Sequence, residues 1–224
     1  MSAQPEQPQP VGAALLDAVA VMDRLRSPGG CPWDAEQTHA SLAPYAIEEA
    51  HEVAEAAESG DLDALAEELG DLLLQVLFHA RVASERSDGD ASCASHGFDI
   101  DDVARGLVAK LTRRHPHVFA DGAATTPDEV NAQWETIKAD EKRRAHPLDD
   151  LPASLPALAR AQKVVSRLRK AGTPSRPPSQ DSADGGARLG AALLALVIEA
   201  DAQGVDAEAA LRAATRDLER SSRA

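Results

Sequence analysis

Aromatic residues are scarce: phenylalanine, tryptophan and tyrosine together make up 3 % of the 224 residues. Leucine, alanine and valine must therefore fill the core of whatever this chain folds into. Alanine and leucine favour helices, whereas strands prefer β-branched and aromatic residues. No segment alternates convincingly between apolar and polar residues with a period of two, which is the pattern of a half-buried strand. The sequence therefore predicts an all-α protein.

Cysteine and long apolar runs are also lacking. The chain has two cysteines, Cys31 and Cys93, and they do not form a CxxC pair. A thiolate zinc site or a disulfide framework is therefore not indicated. There is no apolar run long enough to span a membrane, and the polar, Pro/Gln-rich start does not resemble a signal peptide. We expect a cytoplasmic protein without a membrane partner.

Basic residues are outnumbered, with 23 Lys and Arg against 37 Asp and Glu, for a formal net charge of −14. Such a charge repels polyanions and disfavours a nucleic-acid polymer as partner. A single nucleotide stays compatible with it, provided that cations bridge the phosphates to protein carboxylates.

Apolar periodicity and capping residues predict eight helices. They are expected at Gly12–Arg26, Pro44–Glu58 (with Ser41 as N-cap), Leu62–Glu85 (with Asp61 as N-cap), Asp99–Arg114, Pro127–Arg144, Leu155–Ala171, Arg188–Ala202 and Asp206–Arg220. The Asp/Gly/Ser-rich stretch Ser87–Gly97 between them is expected to be a loop. The predicted organisation is a disordered tail (1–11), a main helical module (12–147), a connecting helix (148–172), a flexible linker (173–187) and a final helical unit (188–224).

Two acidic motifs lie on consecutive predicted helices: EExxE at 48–52 and ExxD at 68–71. Residues three apart share a helical face, so each motif points two carboxylates the same way. A helical wheel places Glu49 inside the apolar arc of its helix and Glu52 at the edge, while Glu48 points away. Glu68 borders the apolar stripe of the next helix, with Asp71 slightly further out.

Carboxylates that border an apolar stripe are costly to bury unless a cation neutralises them. The spacing therefore indicates a site for a hard cation such as Mg²⁺, which prefers oxygen ligands. The alternative is that these acids only form a solvated helix face, since exposed like charges cost little. Leu74 lies opposite the main stripe, which suggests that a second surface, such as another subunit, covers this helix.

Cationic and aromatic residues follow downstream. Lys110 and Arg114 share one helical face and could clamp a polyphosphate, or they could simply complement the helix dipole. Trp134 could stack on a nucleobase or belong to the core.

The motif order EExxE, ExxD, KLxRRHPHVF (110–119) and WExIK (134–138) resembles the MazG family of nucleotide pyrophosphohydrolases. The stretches CPWD (31–34) and LPALxxAQK (155–163) extend the resemblance, which covers about residues 15–163. It implies a helical-bundle dimer, or a higher oligomer, with active sites in a four-helix arrangement. It also implies an acid-anhydride hydrolase that converts nucleoside triphosphates to monophosphate and pyrophosphate, with Mg²⁺ or alternatively Mn²⁺ as cofactor.

The resemblance also implies roles for individual residues. The metal ligands fall on Glu49, Glu52, Glu68 and Asp71, the phosphate-binding cations on Lys110 and Arg114, and the base or ribose contact on Trp134. Glu48 is a candidate base that orients the attacking water. Two other functions stay open at this point: a non-catalytic acidic dimerisation protein, and a related pyrophosphatase with a narrow substrate such as dUTP or phosphoribosyl-ATP.

The final unit departs from the family pattern. Arg188-Leu-Gly-Ala191 resembles a second ExxD motif in which the acidic pair is replaced, and no EExxE precedes it. We expect this unit to be a degenerate second module without metal ligands that serves packing or dimerisation.

Overall fold

The computed structural model describes residues 10–85, 97–142, 146–174, 176 and 184–223. Within these ranges the chain forms ten helices and no strand, which confirms the all-α prediction. The helices are α1 (Ala13–Arg26), α2 (Pro32–Glu36), α3 (His39–Ser59), α4 (Leu62–Ser84), α5 (Ile100–Arg114), α6 (Pro116–Phe119), α7 (Pro127–Lys142), α8 (Ala157–Lys170), α9 (Gly185–Gln203) and α10 (Ala207–Arg223). Residues 1–9 of the predicted tail, residues 87–96 of the predicted loop and most of the predicted linker lie outside the described residues.

The start of α3 corrects the sequence prediction, which placed it near Pro44 with Ser41 as N-cap. The N-cap is Thr38, whose Oγ1 accepts a hydrogen bond from the Ser41 N–H at 3.2 Å. The Ser41 Oγ accepts one in return from the Thr38 N–H at 2.9 Å. This reciprocal capping box satisfies two N–H groups that would otherwise lack partners, so the helix starts earlier and contains Pro44.

The predicted linker also ends earlier than expected. The carboxylate of Asp184 accepts hydrogen bonds from the N–H groups of Gly186 and Ala187, so it caps α9 and makes residues 185–187 helical. The predicted helix at Pro127 starts as expected: the Thr126 Oγ1 accepts from the Glu129 N–H, and the Glu129 carboxylate accepts from the Thr126 N–H.

The first compact unit runs from Met1 to Val130. Its main feature is a helical hairpin in which α3 and α4 pack along each other, with α1 against α4. Gly60 has a φ of 77°, a left-handed conformation that suits glycine, and reverses the chain between the two helices. The core beneath the hairpin is built by Met22, Leu42, Leu77 and Phe78.

The second compact unit runs from Asn131 to Ala224, so the division falls within α7. In this unit α8 packs against α9 and α10. The Gln162 side chain joins α8 to the α9–α10 turn, since its amide donates to the Val205 carbonyl and its carbonyl accepts from the Ala207 N–H. Ala191, which takes the second acidic position in the degenerate motif, is a buried core residue at 3 % exposure.

No helix in the described ranges is long and apolar enough to cross a membrane.

Candidate metal centre

The α3–α4 hairpin brings the two acidic motifs side by side. Asp61 caps α4 with its carboxylate, which accepts hydrogen bonds from the N–H groups of Asp63 and Ala64 at 3.0 and 3.1 Å. The short connection makes the helices antiparallel neighbours. At the far end, His39 near the start of α3 stacks on His79 in α4. Next to the connection, the last turns of α3 therefore lie opposite the first turns of α4.

Three of the four predicted ligands converge. Glu49, Glu68 and Asp71 each offer one carboxylate oxygen, and these oxygens lie within 4.8 Å of one another. Glu49 and Glu68 are half-buried, whereas Asp71 is exposed. Glu52 is exposed and falls outside the set that meets this distance. Within the described ranges, this is the one group of three or more potential metal ligands that the structure brings together.

The pKa values of Glu49 and Glu68 are raised. Burial is the largest cause of the raised pKa of Glu49, followed by the charges of Asp71 and Glu52. Burial is again the largest cause for the raised pKa of Glu68, followed by Glu52 and Asp71. Glu52 therefore acts on carboxylates of both helices, and the four acids form one electrostatic cluster that we call the acid cluster.

The acid cluster fits a hard divalent cation. Its donors are all carboxylate oxygens, the ligand type that Mg²⁺ and Mn²⁺ prefer, whereas soft metals favour sulfur. A cation between the helices would offset the repulsion that raises the pKa values of Glu49 and Glu68. Glu48 is exposed and lies beside this set, and its charge also contributes to the raised pKa of Glu49.

The predicted substrate-binding residues lie on other helices. Lys110 is exposed on α5, and Arg114 is half-buried at the end of that helix. Neither cation is among the described groups that shift the pKa of Glu49 or Glu68, since every such charge is a carboxylate. Trp134 is half-buried on α7 and belongs to the second unit.

Sequence reasoning missed an aromatic contact in the first unit. Trp33 and Tyr45 pack edge to face, with ring centroids 6.3 Å apart and an interplanar angle of 72°. Tyr45 precedes Glu49 by four residues and Glu52 by seven, so all three share one face of α3. That spacing was visible in the sequence and could have indicated an aromatic group beside the acids.

Comparison with known proteins identifies relatives over most of the chain. The MazG nucleotide pyrophosphohydrolase domain matches residues 37–119, which include the whole acid cluster and α5. An uncharacterized 26.1 kDa protein of Streptomyces cacaoi is 48 % identical over 91 % of this chain and 78 % of its own length.

Other relatives carry functional names. A nucleoside triphosphate pyrophosphohydrolase of Mycolicibacterium smegmatis is 52 % identical over 75 % of this chain, and the chain spans 50 % of that protein. The nucleoside triphosphate pyrophosphohydrolase/pyrophosphatase MazG of Thermotoga maritima is 38 % identical over 92 % of this chain and 82 % of its own length. Because this last match covers most of both proteins, the chain belongs to the MazG family.

Proposed function

We infer that this chain is a Mg²⁺-dependent nucleoside triphosphate pyrophosphohydrolase that releases nucleoside monophosphate and pyrophosphate. The observation that carries the inference is the convergence of Glu49, Glu68 and Asp71 within 4.8 Å. The names of the relatives from M. smegmatis and T. maritima support the same reaction. A role in housekeeping of the nucleotide pool agrees with it.

Each acid has a distinct part in the proposed chemistry. Glu49, Glu68 and Asp71 would hold the ion, and Glu52 would add negative charge beside them. When bound, Mg²⁺ neutralises phosphate charge and lowers the pKa of a nearby water. Glu48, at the rim, accepts the proton of the attacking water. The water oxygen bonds to the α-phosphorus, the bond to the bridging oxygen breaks, and pyrophosphate leaves.

Lys110 and Arg114 are proposed to bind the polyphosphate, and Trp134 to contact the base or ribose. A guanidinium can hold phosphate oxygens with two parallel hydrogen bonds, and an ammonium adds a compact positive charge. Both cations would neutralise charge on the leaving pyrophosphate.

The apolar face of α5 supports a homodimer. None of the residues of α5 is buried, and Val103, Leu107 and Leu111 form a stripe that is 37–47 % exposed. A helix that carries such a stripe normally buries it against another surface. We propose that a second copy of the chain covers α5, together with Leu74 of α4, which is 39 % exposed. Pairing of such dimers into a tetramer is compatible with this arrangement.

Such a dimer offers a way to unite the cations with the acids. We propose that α5 of one copy delivers Lys110 and Arg114 to the acid cluster of the other copy. Mixing a Glu68→Gln variant with a Lys110→Ala variant tests this. In each mixed dimer, one of the two sites would have all its acids from the Lys110→Ala copy and both cations from the Glu68→Gln copy. Recovery of activity on mixing supports the shared site, whereas two inactive variants that stay inactive together contradict it.

The reaction itself is tested by product analysis. With Mg²⁺ and a panel of canonical and modified triphosphates, including dUTP and phosphoribosyl-ATP, we expect pyrophosphate rather than orthophosphate. Removal of Mg²⁺ with a chelator, or the Glu68→Gln substitution, should lower turnover by at least about a hundredfold. Orthophosphate as the first product would contradict attack at the α-phosphorus. Absence of turnover with every substrate would instead favour a binding protein.

A further inference from the structure

Two of the few aromatic side chains, Trp33 and Tyr45, lie exposed in the first unit. Trp33 is 53 % exposed and Tyr45 is 41 % exposed, although their rings contact each other. Large aromatic rings in solvent forgo the stabilisation that burial would give. An exposed aromatic pair in a chain with so few aromatic residues is therefore a candidate binding surface.

The backbone around Trp33 is held by side-chain hydrogen bonds. Arg26, whose side chain is 4 % exposed, donates to the carbonyl of Asp34 and to the carbonyl of Gln37 at 3.2 Å. The Gln37 side-chain amide donates in turn to the Trp33 carbonyl at 3.0 Å. Arg26 is itself held by an ion pair with Glu85 at 2.7 Å. The backbone of α2 is thus fixed from two sides, while the indole ring stays in solvent.

The position of Tyr45 relates the aromatic pair to the acids. At about 100° per residue, Tyr45 falls between Glu49 and Glu52 around the axis of α3. At about 1.5 Å per residue, it lies about 6 Å before Glu49 along that axis. A ligand whose phosphates are held at the acid cluster through a cation would therefore have Trp33 and Tyr45 within reach of its other end.

We propose that Trp33 and Tyr45 form a stacking platform for the base of the nucleoside triphosphate. This proposal rests on the proposed function and adds the element that holds the base on the first unit. Aromatic stacking needs only the π-face that every base has, so the platform would bind purines and pyrimidines alike. The Trp33 indole has a donor and no acceptor, which offers little hydrogen-bond discrimination between bases.

Binding measurements on the full chain test the platform. Calorimetry with Mg²⁺ would compare an α,β-methylene nucleoside triphosphate, which resists cleavage, with inorganic tripolyphosphate, which has the phosphates but no base. We expect Trp33→Ala and Tyr45→Ala each to weaken nucleotide binding by about tenfold and to leave tripolyphosphate binding unchanged. Trp33→Phe should retain most of the affinity because it keeps a π-face. Phe98→Ala, which removes a 42 % exposed aromatic ring elsewhere in the unit, is the matched control and should change neither affinity.

The outcomes separate this proposal from the function on which it rests. Equal nucleotide affinity in wild type and Trp33→Ala would overturn the platform, as would an equal loss for nucleotide and tripolyphosphate. If the wild type binds neither ligand with Mg²⁺, the proposed function fails. A second readout uses Trp134→Phe, in which Trp33 is the sole tryptophan, at nucleotide and tripolyphosphate concentrations at which calorimetry shows this variant to be saturated. Its fluorescence should change with the nucleotide and stay constant with tripolyphosphate; a constant signal with both ligands would overturn the platform.

Discussion

At the residue scale, the charges of the acid cluster that would bind a cation also lower the stability of the fold when no cation is bound. Burial and mutual repulsion raise the pKa values of Glu49 and Glu68 above their ordinary value of 4.5. The folded chain therefore holds these protons more tightly than the unfolded chain does. Without metal, the stability of the fold should decrease as pH rises from about 4.5 through the raised pKa values. At neutral pH a bound cation would reverse this loss.

The Glu49→Gln substitution tests both effects, the lower stability without a cation and the stabilisation by Mg²⁺. It removes one of the repelling charges, so we expect a higher melting temperature than wild type at pH 7 in the presence of a chelator. It also removes a ligand, so added Mg²⁺ should no longer stabilise the protein, and activity should fall at least about a hundredfold. Melting curves with and without Mg²⁺ measure both effects.

Glu55→Gln is the matched control, since Glu55 lies on the same helix and is exposed. It should keep the Mg²⁺ response of the wild type. If Mg²⁺ raised the melting temperature of Glu49→Gln as much as that of wild type, the proposed role of the acid cluster would be contradicted.

Helical periodicity predicted the relative burial of two neighbouring acids on α3. It distinguished Glu49 from Glu48, and the structure has Glu49 half-buried and Glu48 exposed. Periodicity could not predict that Glu52 lies outside the group whose carboxylate oxygens are within 4.8 Å of one another. That distance depends on how closely α3 and α4 approach. Periodicity also could not place Trp33 against Tyr45, because the two rings lie on different helices, α2 and α3.

At the element scale, the far end of the α3–α4 hairpin is sensitive to pH. The Nδ1 atoms of His39 and His79 lie 2.8 Å apart in half-buried, stacked rings, so one ring must be neutral to accept the hydrogen bond. Burial first, and then the charge of His39, lower the pKa of His79 below its ordinary value of 6.5. The unfolded chain therefore binds this proton at higher pH than the folded chain does.

The sign of the resulting pH dependence follows from this difference. Stability should decrease as pH falls through about 6.5 and level off below the folded-state pKa of His79. A His79→Gln variant lacks this group and should show a flatter dependence of melting temperature between pH 7 and 5. All other titrating groups are common to both proteins, so parallel profiles would show that the pair contributes nothing.

The capping box at the start of α3 gives a test at the same scale. Thr38→Ala removes the hydroxyl that accepts from the Ser41 N–H and should lower the free energy of unfolding by about 1 kcal/mol. Chemical denaturation measures the loss. Thr112→Ala, an exposed threonine within α5, is a control that should change stability by less than half as much. Equal effects would contradict the assignment of Thr38 as the cap.

The elements were predictable where a cap and a long apolar stripe coincide. The start of α4 was predicted because Asp61 caps it and many apolar residues follow with helical spacing. The short helices α2 and α6 were missed, since they have 5 and 4 residues and are too short to show periodicity. The start of α3 was placed too late because Pro44 was assigned to its first turn.

At the scale of the whole molecule, the exposed stripe on α5 predicts self-association. Leu107→Asp places a charge in this stripe, so we expect the dimer to dissociate and activity to fall if the two copies share the site. Light scattering coupled to size-exclusion chromatography measures the mass. Leu193→Asp makes the same change on α9, where Leu193 is 44 % exposed, and should leave the mass unchanged.

The reverse result, with a monomeric Leu193→Asp and a dimeric Leu107→Asp, would assign self-association to the final helical unit. The sequence could not choose between these surfaces. Apolar stripes occur on helices of both units, and periodicity does not show which stripe the chain itself leaves exposed.

The central claim is that acids of α3 and α4 hold a divalent cation, and Mg²⁺ titration calorimetry tests it most directly. Wild type should bind Mg²⁺, and Glu67→Gln should bind it as well, because Glu67 is exposed and lies outside the converging set. Glu68→Gln, one residue further along α4, should lose the binding. Equal Mg²⁺ binding by the Glu67 and Glu68 variants would contradict the claim.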